Sequence, residues 1–395
     1  MSETPAFHAT PVFPRGFHCA SRNVGLKPAA RDLTLFVSDV DAAAAAVFTR
    51  NHFPGAPVIL GRETIGAGTG GTLRAIIANS KVSNVATGAP GVENARRMAR
   101  AAAQEIGTTA NRVLVSSTGV IGVPLPIEKI EAGVVGMAGD LQDDPMIGAE
   151  GIMTTDTHPK ALSASVGDAI ITWVAKGSGM IEPNMATMLS YIFTDAAIDA
   201  PTLDRLLRAA VKPTFNMLSV DTDTSTSDTC AILANGLAGA VDEAEFLAVL
   251  TAGCTRMTEI LARDGEGAEH LLRVTVRGAL DEAEAYTVAK SVLNSPLVKT
   301  MVHGADPNVG RLLMAVGKCF SCTIRPSTTD AWINGYQVVG KGERLAFDDA
   351  VVRETLSREV VDLEIALGVG DASARAFGCD LTKGYVEENA AYYSS

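Results

Sequence analysis

"KGSGMIEPNMATMLSYIFTD", residues 176–195, is the stretch on which the reading of this chain turns. Two glycines flank a serine, a proline follows at position 183, and the run from Met188 to Phe193 is largely apolar. That is the pattern of a glycine- and proline-bounded loop entering a buried strand. Thr187 stands at the junction, and its role is the first question the sequence poses.

Outward from this stretch, strand-like runs alternate with helical ones. The apolar, β-branched segments "LRAIIA" (73–78), "VLVSS" (113–117), "AIITWVAK" (169–176), "LRVTVR" (272–277) and "VDLEIAL" (361–367) predict strands. The periodicity of "VENARRMARAAAQEI" (92–106), "PTLDRLLRAAVK" (201–212), "DEAEFLAVLTAGCTRMTEILARDG" (242–265) and "DEAEAYTVAKSVLN" (281–294) predicts helices. Pro201 suits a first helical turn and Gly265 a C-terminal cap. The class is therefore α/β or α+β. The acidic "GDLQDDPMIGAEG" (139–151), interrupted by Pro145, reads as a surface connection.

With 395 residues, 47% of them hydrophobic, the chain exceeds the usual size of one core, so two subdomains or one large domain are expected. A net charge of −12 with no basic cluster argues against a nucleic-acid partner. No run approaches the roughly 18 apolar residues of a membrane span. The N-terminus lacks a basic region followed by an apolar one, which leads to the expectation of a soluble, cytoplasmic protein. Six scattered cysteines read as reduced thiols. Cys319 and Cys322 form a C-x-x-C, yet neither His303 nor anything downstream completes a zinc set, so no metal is expected.

Two motifs favour ordinary readings. "GAGTGG" (66–71) is followed by a strand rather than a helix, so a hairpin-like turn fits better than a dinucleotide fingerprint. "DTDTSTSD" (221–228) lacks the calcium-loop glycine and terminal glutamate, which favours a polar loop held by its own side-chain-to-backbone hydrogen bonds. The histidines share no context, and no G-x-S-x-G supplies a serine for one to activate. A threonine needs no histidine if its own α-amine serves as base, since that amine has a reference pKa of about 7.7–8.0. For Thr187 this requires cleavage after Ala186, and the idea competes with a threonine that simply opens a strand.

Ordered blocks across nearly the whole chain resemble the ornithine acetyltransferases, the bifunctional glutamate N-acetyltransferases. They include "NSKVSNVATG" (79–88), "SSTGVIG" (116–122), "IMTTDTHPK" (152–160), "AKGSGMIEPNMATML" (175–189), "FNMLSVDTDTSTSDT" (215–229), "DGEGAEHL" (264–271), "HGADPNVGR" (303–311) and "GCDLTKGYVEENAAYYSS" (378–395). The resemblance implies an αββα sandwich of the N-terminal-nucleophile-like type with a smaller second α/β domain. It implies self-cleavage between Ala186 and Thr187 into fragments 1–186 and 187–395, with Thr187 as the nucleophile. Thr118 and Gly119 would form the oxyanion hole. Thr154, Lys176, Thr187, Glu266, Asn389 and Ser394 would bind the amino-acid substrates.

The implied reaction moves acetyl from N-acetylornithine to glutamate through an acetyl-enzyme, with no cofactor, in an α2β2 heterotetramer or larger assembly. Whether acetyl-CoA also donates stays open. Without the resemblance, Lys176 reads as a solvated lysine at a strand end and Glu266 as a helix-terminal surface charge. Val309 replaces a tryptophan usual in the family, and Ser394 a threonine. A paralogue acting on another amine, an aminopeptidase of related fold and a non-catalytic binding protein are the competing readings.

Overall fold

The chain enters its first sheet through β1 (Phe17–Arg22) and β2 (Leu33–Phe48), an antiparallel pair. The strands β3 (Gly71–Asn79), β4 (Val113–Ser117), β5 (Lys160–Val166), β6 (Ala169–Lys176), β7 (Leu189–Ala196), β8 (Leu218–Ser219) and β9 (Thr229–Gly239) follow. Between them lie helices α1 (Ala56–Ile65), α2 (Gly88–Glu105), α3 (Ile127–Val134), α4 (Pro145–Ile152) and α5 (Ala200–Val211), and α6 (Glu243–Arg263) comes next. The computed structural model describes residues 5–66, 70–182 and 188–390, in two compact units. The first contains residues up to 177, 183–216 and 224–257; the second contains 178–182, 217–223 and 258 onward.

The first unit is built on an eight-stranded sheet ordered β4-β3-β2-β9-β7-β6-β5, with β1 on β2. Strand β2 is the reason this sheet folds over on itself. Its first half pairs with β1 and β3, its exposed centre at Asp39, Val40 and Asp41 breaks the register, and its second half takes up the start of β3 again and adds β9. Phe36 from the first half then meets rings on β7, a strand it does not pair with: Phe193 at 5.2 Å and Tyr191 at 5.4 Å between centroids. The alanine run 42–46 keeps the second half thin, and Ala42, Ala44 and Ala46 join the same core.

Because side chains alternate along a strand, Leu33, Leu35 and Val37 face the opposite way from Phe36, into a second core with Ala95, Met98 and Ala99 of α2 and Ile127 and Ile130 of α3. On the remaining outer face, Trp173 of β6 lies against α6 so closely that a Cβ on Gly253 would come within 2.1 Å of its ring. Helices, two stacked halves of a sheet, and helices again give the αββα order that the family resemblance implies.

The smaller second unit carries β10 (Leu271–Ala279), α7 (Glu282–Leu293), α8 (Pro296–His303), α9 (Gly310–Gly317), β11 (Asp330–Ile333), β12 (Tyr336–Gly340), β13 (Glu343–Arg344), α10 (Asp349–Leu356), β14 (Val360–Ala366), β15 (Ala372–Cys379) and α11 (Lys383–Ala390). Its sheet runs β13-β12-β11-β14-β10-β15-β8, parallel between β10 and β14. Helix α7 is capped by Asp281, whose carboxylate accepts the Glu284 N–H, and it buries Val288, Val292 and Leu293 against β10 and β15. Val309 is buried immediately before α9, so its place is in packing.

One local expectation falls outside the described residues and two need correction. "GAGTGG" falls between the end of α1 and the start of β3, and its residues 67–69, on which the turn reading rests, lie outside the described residues. Residues 145–152 of the expected surface connection form α4: Asp144 caps the Met146 N–H at 2.9 Å and Pro145 fills the first turn. Glycines there suggest a loop, but they are small for contact, since a Cβ on Gly148 would sit 2.3 Å from Phe36 and one on Gly151 2.0 Å from Ser21. Gly265 does not end α6 in a left-handed conformation; a Cβ there would approach the Cys379 sulfur to 2.7 Å, whereas the positive φ belongs to Gly267.

Candidate active site

In the first unit, β3 and β4 run parallel and end together, and their chains continue side by side beyond the sheet: Thr118 N–H donates to Asn79 O and Val120 N–H to Lys81 O. This close approach explains Gly119. Its φ is +127°, and a Cβ would lie 2.2 Å from the Lys81 carbonyl carbon. On the facing segment, Lys81, Asn84 and Ala86 all have positive φ without being glycine, a concentration of backbone strain typical of functional loops. Asn79, fully buried, ties the turn by accepting the Ser117 hydroxyl at 2.6 Å and donating to Val82 O at 2.9 Å.

Lys176 ends β6 and is buried, contrary to the solvated lysine that its strand-end position suggested. Its ammonium donates to the Thr118 hydroxyl oxygen at 3.5 Å, which leaves the Thr118 proton to point at another acceptor. Asp156 organises the neighbourhood. One carboxylate oxygen accepts the Gly177 N–H at 2.7 Å and the Lys160 ammonium at 2.6 Å, and the other accepts the Thr154 N–H at 2.9 Å. Burial opposes its charge, but Lys176 and Lys160 outweigh burial and hold its carboxyl at about 2. Thr118, Gly119, Thr154 and Lys176 are thus joined through Asp156 and β6, and Asp156, which lies inside "IMTTDTHPK", is the residue that motif reading passed over.

Asp228 was missed as well. It precedes β9 and is buried; its Oδ2 has no hydrogen-bond partner among the described residues, and burial pushes its carboxyl well above the ordinary range despite Lys176 nearby. The polar loop 221–228 makes a few of the local bonds expected of it, Ser227 N–H to Ser225 Oγ among them, but its firmer ties run to distant segments, as in Thr49 Oγ1 to Ser225 O at 2.6 Å.

In the second unit, Glu266 and Asn389 come together. Glu266 is buried, not a surface charge, and Asn389 on α11 donates to it at 2.7 Å. Gly179 makes the space: a Cβ there would fall 2.1 Å from the Glu266 carboxylate. Gly267 lets α11 close in, because its Cβ would lie 2.4 Å from the Tyr385 nitrogen. Asp221 accepts the Met180 and Ile181 N–H groups at 2.7 and 2.8 Å, fixing the segment that carries Gly179. Ala186, Thr187 and Ser394 lie outside the described residues.

Glu269, His303 and Asp380 bring potential metal-ligand atoms within 4.8 Å of one another. Asp380 is already engaged by the Glu269 and His270 N–H groups and by the His270 ring at 2.9 Å, so the group reads as a hydrogen-bond hub. All six cysteines are free, and burial pushes the Cys19 and Cys230 thiols up to about 12, which removes them as nucleophiles. No helix among the described residues is long and apolar enough to cross a membrane.

A match to the ArgJ family spans residues 18–394, and the chain belongs to that family. An "Arginine biosynthesis bifunctional protein ArgJ 2" from Nostoc is 45% identical over 96% of this chain and 97% of its own. A "Glutamate N-acetyltransferase Oat2" from Streptomyces clavuligerus is 43% identical over 97% and 99%. A solved arginine biosynthesis bifunctional protein ArgJ from Bacillus halodurans is 37% identical with a TM-score of 0.50; it covers 51% of this chain and 98% of its own.

Proposed function

We propose that the protein is a self-processing N-terminal-threonine acetyltransferase that carries acetyl from N-acetylornithine to glutamate. The names of the relatives from Nostoc and Streptomyces clavuligerus support the activity. The observation that carries the mechanism is the Thr118–Gly119 turn with Lys176 donating to the Thr118 hydroxyl. In this reading Thr187, freed by cleavage after Ala186, attacks the acetyl carbonyl with its hydroxyl oxygen while its amine takes the proton. Negative charge on the former carbonyl oxygen is met by the Thr118 hydroxyl and the Gly119 N–H, a kind of stabilisation worth about 3–4 kcal/mol per key donor. The C–N bond breaks, the proton passes to the ornithine amine, and acetyl remains as a threonine ester. The glutamate amine then attacks the ester, the C–O bond breaks and the hydroxyl is restored.

Lys176 suits the α-carboxylate, Glu266 with Asn389 the distal ammonium of ornithine, and Thr154 and Ser394 complete the polar contacts. A solved relative whose whole chain occupies half of this one is what fragments 1–186 and 187–395 would yield. We infer further that the cut chains assemble as an α2β2 heterotetramer or larger oligomer, in the cytoplasm and without a cofactor. Acetyl-CoA is an alternative donor to be assayed alongside N-acetylornithine. Intact-mass measurement tests the reading: two fragments, the second beginning at Thr187, are expected, and Thr187→Ala should remain one inactive chain. A fully active protein that stays uncut would overturn it.

A further inference from the structure

Lys27 lies outside every motif, yet its position is constrained. It sits in the loop between β1 and β2, half-buried, and its ammonium donates to Met153 O at 2.7 Å and Arg31 O at 3.2 Å. Both partners are neutral carbonyls, and a third proton has no recipient among the described residues. Asp32, whose charge acts on it, spends its oxygens on the Val24, Leu26 and Lys27 N–H groups at 2.7, 2.7 and 2.8 Å. A partly desolvated cation whose hydrogen-bond acceptors are both neutral is a candidate for an incoming anion, because burial of a charge is costly unless an opposite charge meets it.

Its surroundings say where an anion would come from. Met153 precedes Thr154, whose N–H is bound by Asp156, which also binds the Gly177 N–H next to Lys176. Lys27 is therefore built onto the same framework as Thr154, Lys176 and Thr118. Burial, together with Lys176 and Lys81 and against the pull of Asp32 and Asp156, lowers its ammonium to about 8. An incoming side chain bearing an ammonium would be repelled here, whereas a carboxylate would be drawn in.

We propose that Lys27 forms a subsite for the side-chain carboxylate of a dicarboxylic amino-acid acceptor, while Lys176 takes the α-carboxylate. This deepens the acetyltransferase reading and rests on it. It separates the two substrates: the distal ammonium of the donor goes to Glu266, and the distal carboxylate of the acceptor goes to Lys27.

The test compares glutamate with glutamine, which has the same shape without the charge, as acceptors for the cleaved protein loaded from N-acetylornithine. Lys27→Gln keeps a donor for Met153 O and removes the charge. The glutamate-over-glutamine ratio of kcat/KM should fall about tenfold or more in Lys27→Gln and be retained in Lys27→Arg. In the wild type this ratio should also fall as pH rises through about 8, where Lys27 loses its proton, and it should not do so in Lys27→Arg. Reactivity of the acceptor amine changes alike for both acceptors and cancels. An unchanged ratio in Lys27→Gln would overturn the subsite. Absence of transfer to any acceptor by the wild type would instead overturn the acetyltransferase reading, and calorimetric binding of glutamate against glutamine to wild type and Lys27→Gln would still decide the subsite.

Discussion

The two units use opposite means to hold polar groups in their interiors. In the first, Lys160 and Lys176 gather around Asp156, so buried charge is balanced by charge and the local excess is positive. In the second, the buried Glu266 carboxylate accepts the Asn389 amide and occupies space left at Gly179. The difference teaches what the proposed function asks of each region: the first would meet a carboxylate and the second an ammonium.

The contrast can be broken most forcefully at its charged centre. Asp156→Ala removes the shared carboxylate from two buried lysines and should cost about 3–5 kcal/mol, read as a lowered denaturation midpoint. Next comes a pair of glycines. Gly119→Ala drives a methyl into the Lys81 backbone at positive φ and should cost about 3 kcal/mol or more, because backbone cannot move aside. Gly179→Ala meets the Glu266 side chain first, which can give way more readily than backbone, so thermal unfolding should change less, while acetyl-enzyme formation from N-acetylornithine should weaken. Equal destabilisation by the two alanines would contradict the distinction.

Thr118→Ala should lower turnover by roughly 10²-fold in a protein that still folds, measured by steady-state kinetics. Glu266→Gln should weaken the donor half-reaction by about one to two powers of ten and the glutamate half-reaction far less, since glutamate has no distal ammonium. The smallest effect is on acid stability. Asp156 has a folded pKa of about 2, below the unfolded value of about 3.9, so its contribution is present above pH 4 and is lost as pH falls toward 2. That loss is on the order of 2 kcal/mol. Denaturation midpoints between pH 5 and 2 should therefore fall more steeply in the wild type than in Asp156→Asn.

Much of the fold was legible because local patterns and tertiary structure agree. The segments 113–117 and 169–176 are the strands that their apolar, β-branched composition predicts, and the helices over 201–212 and 281–294 carry Pro201 and Asp281 where helix starts need them. Helix α4 was illegible because its glycines answer to Phe36 and Ser21, residues more than a hundred positions away. The candidate site divides in the same way. Thr118, Gly119, Thr154, Lys176, Glu266 and Asn389 were legible as blocks of a resembled family, but nothing local announces that Lys176 and Glu266 are buried.

By itself, the sequence determined the α/β class and several of its strands and helices, and through the family resemblance it named candidate groups for acyl-transfer chemistry. These are properties of short windows, in which periodicity, caps and residue type act within a few positions. Only the tertiary structure decided which of those groups share an environment: that β2 bends at Asp39–Asp41 and folds its sheet over, that Asp156 binds Lys160 and the Gly177 N–H beside Lys176, and that Lys27 donates to Met153 across 126 positions. Burial, dielectric and hydrogen-bond partners depend on distance in space, and chain separation does not encode them.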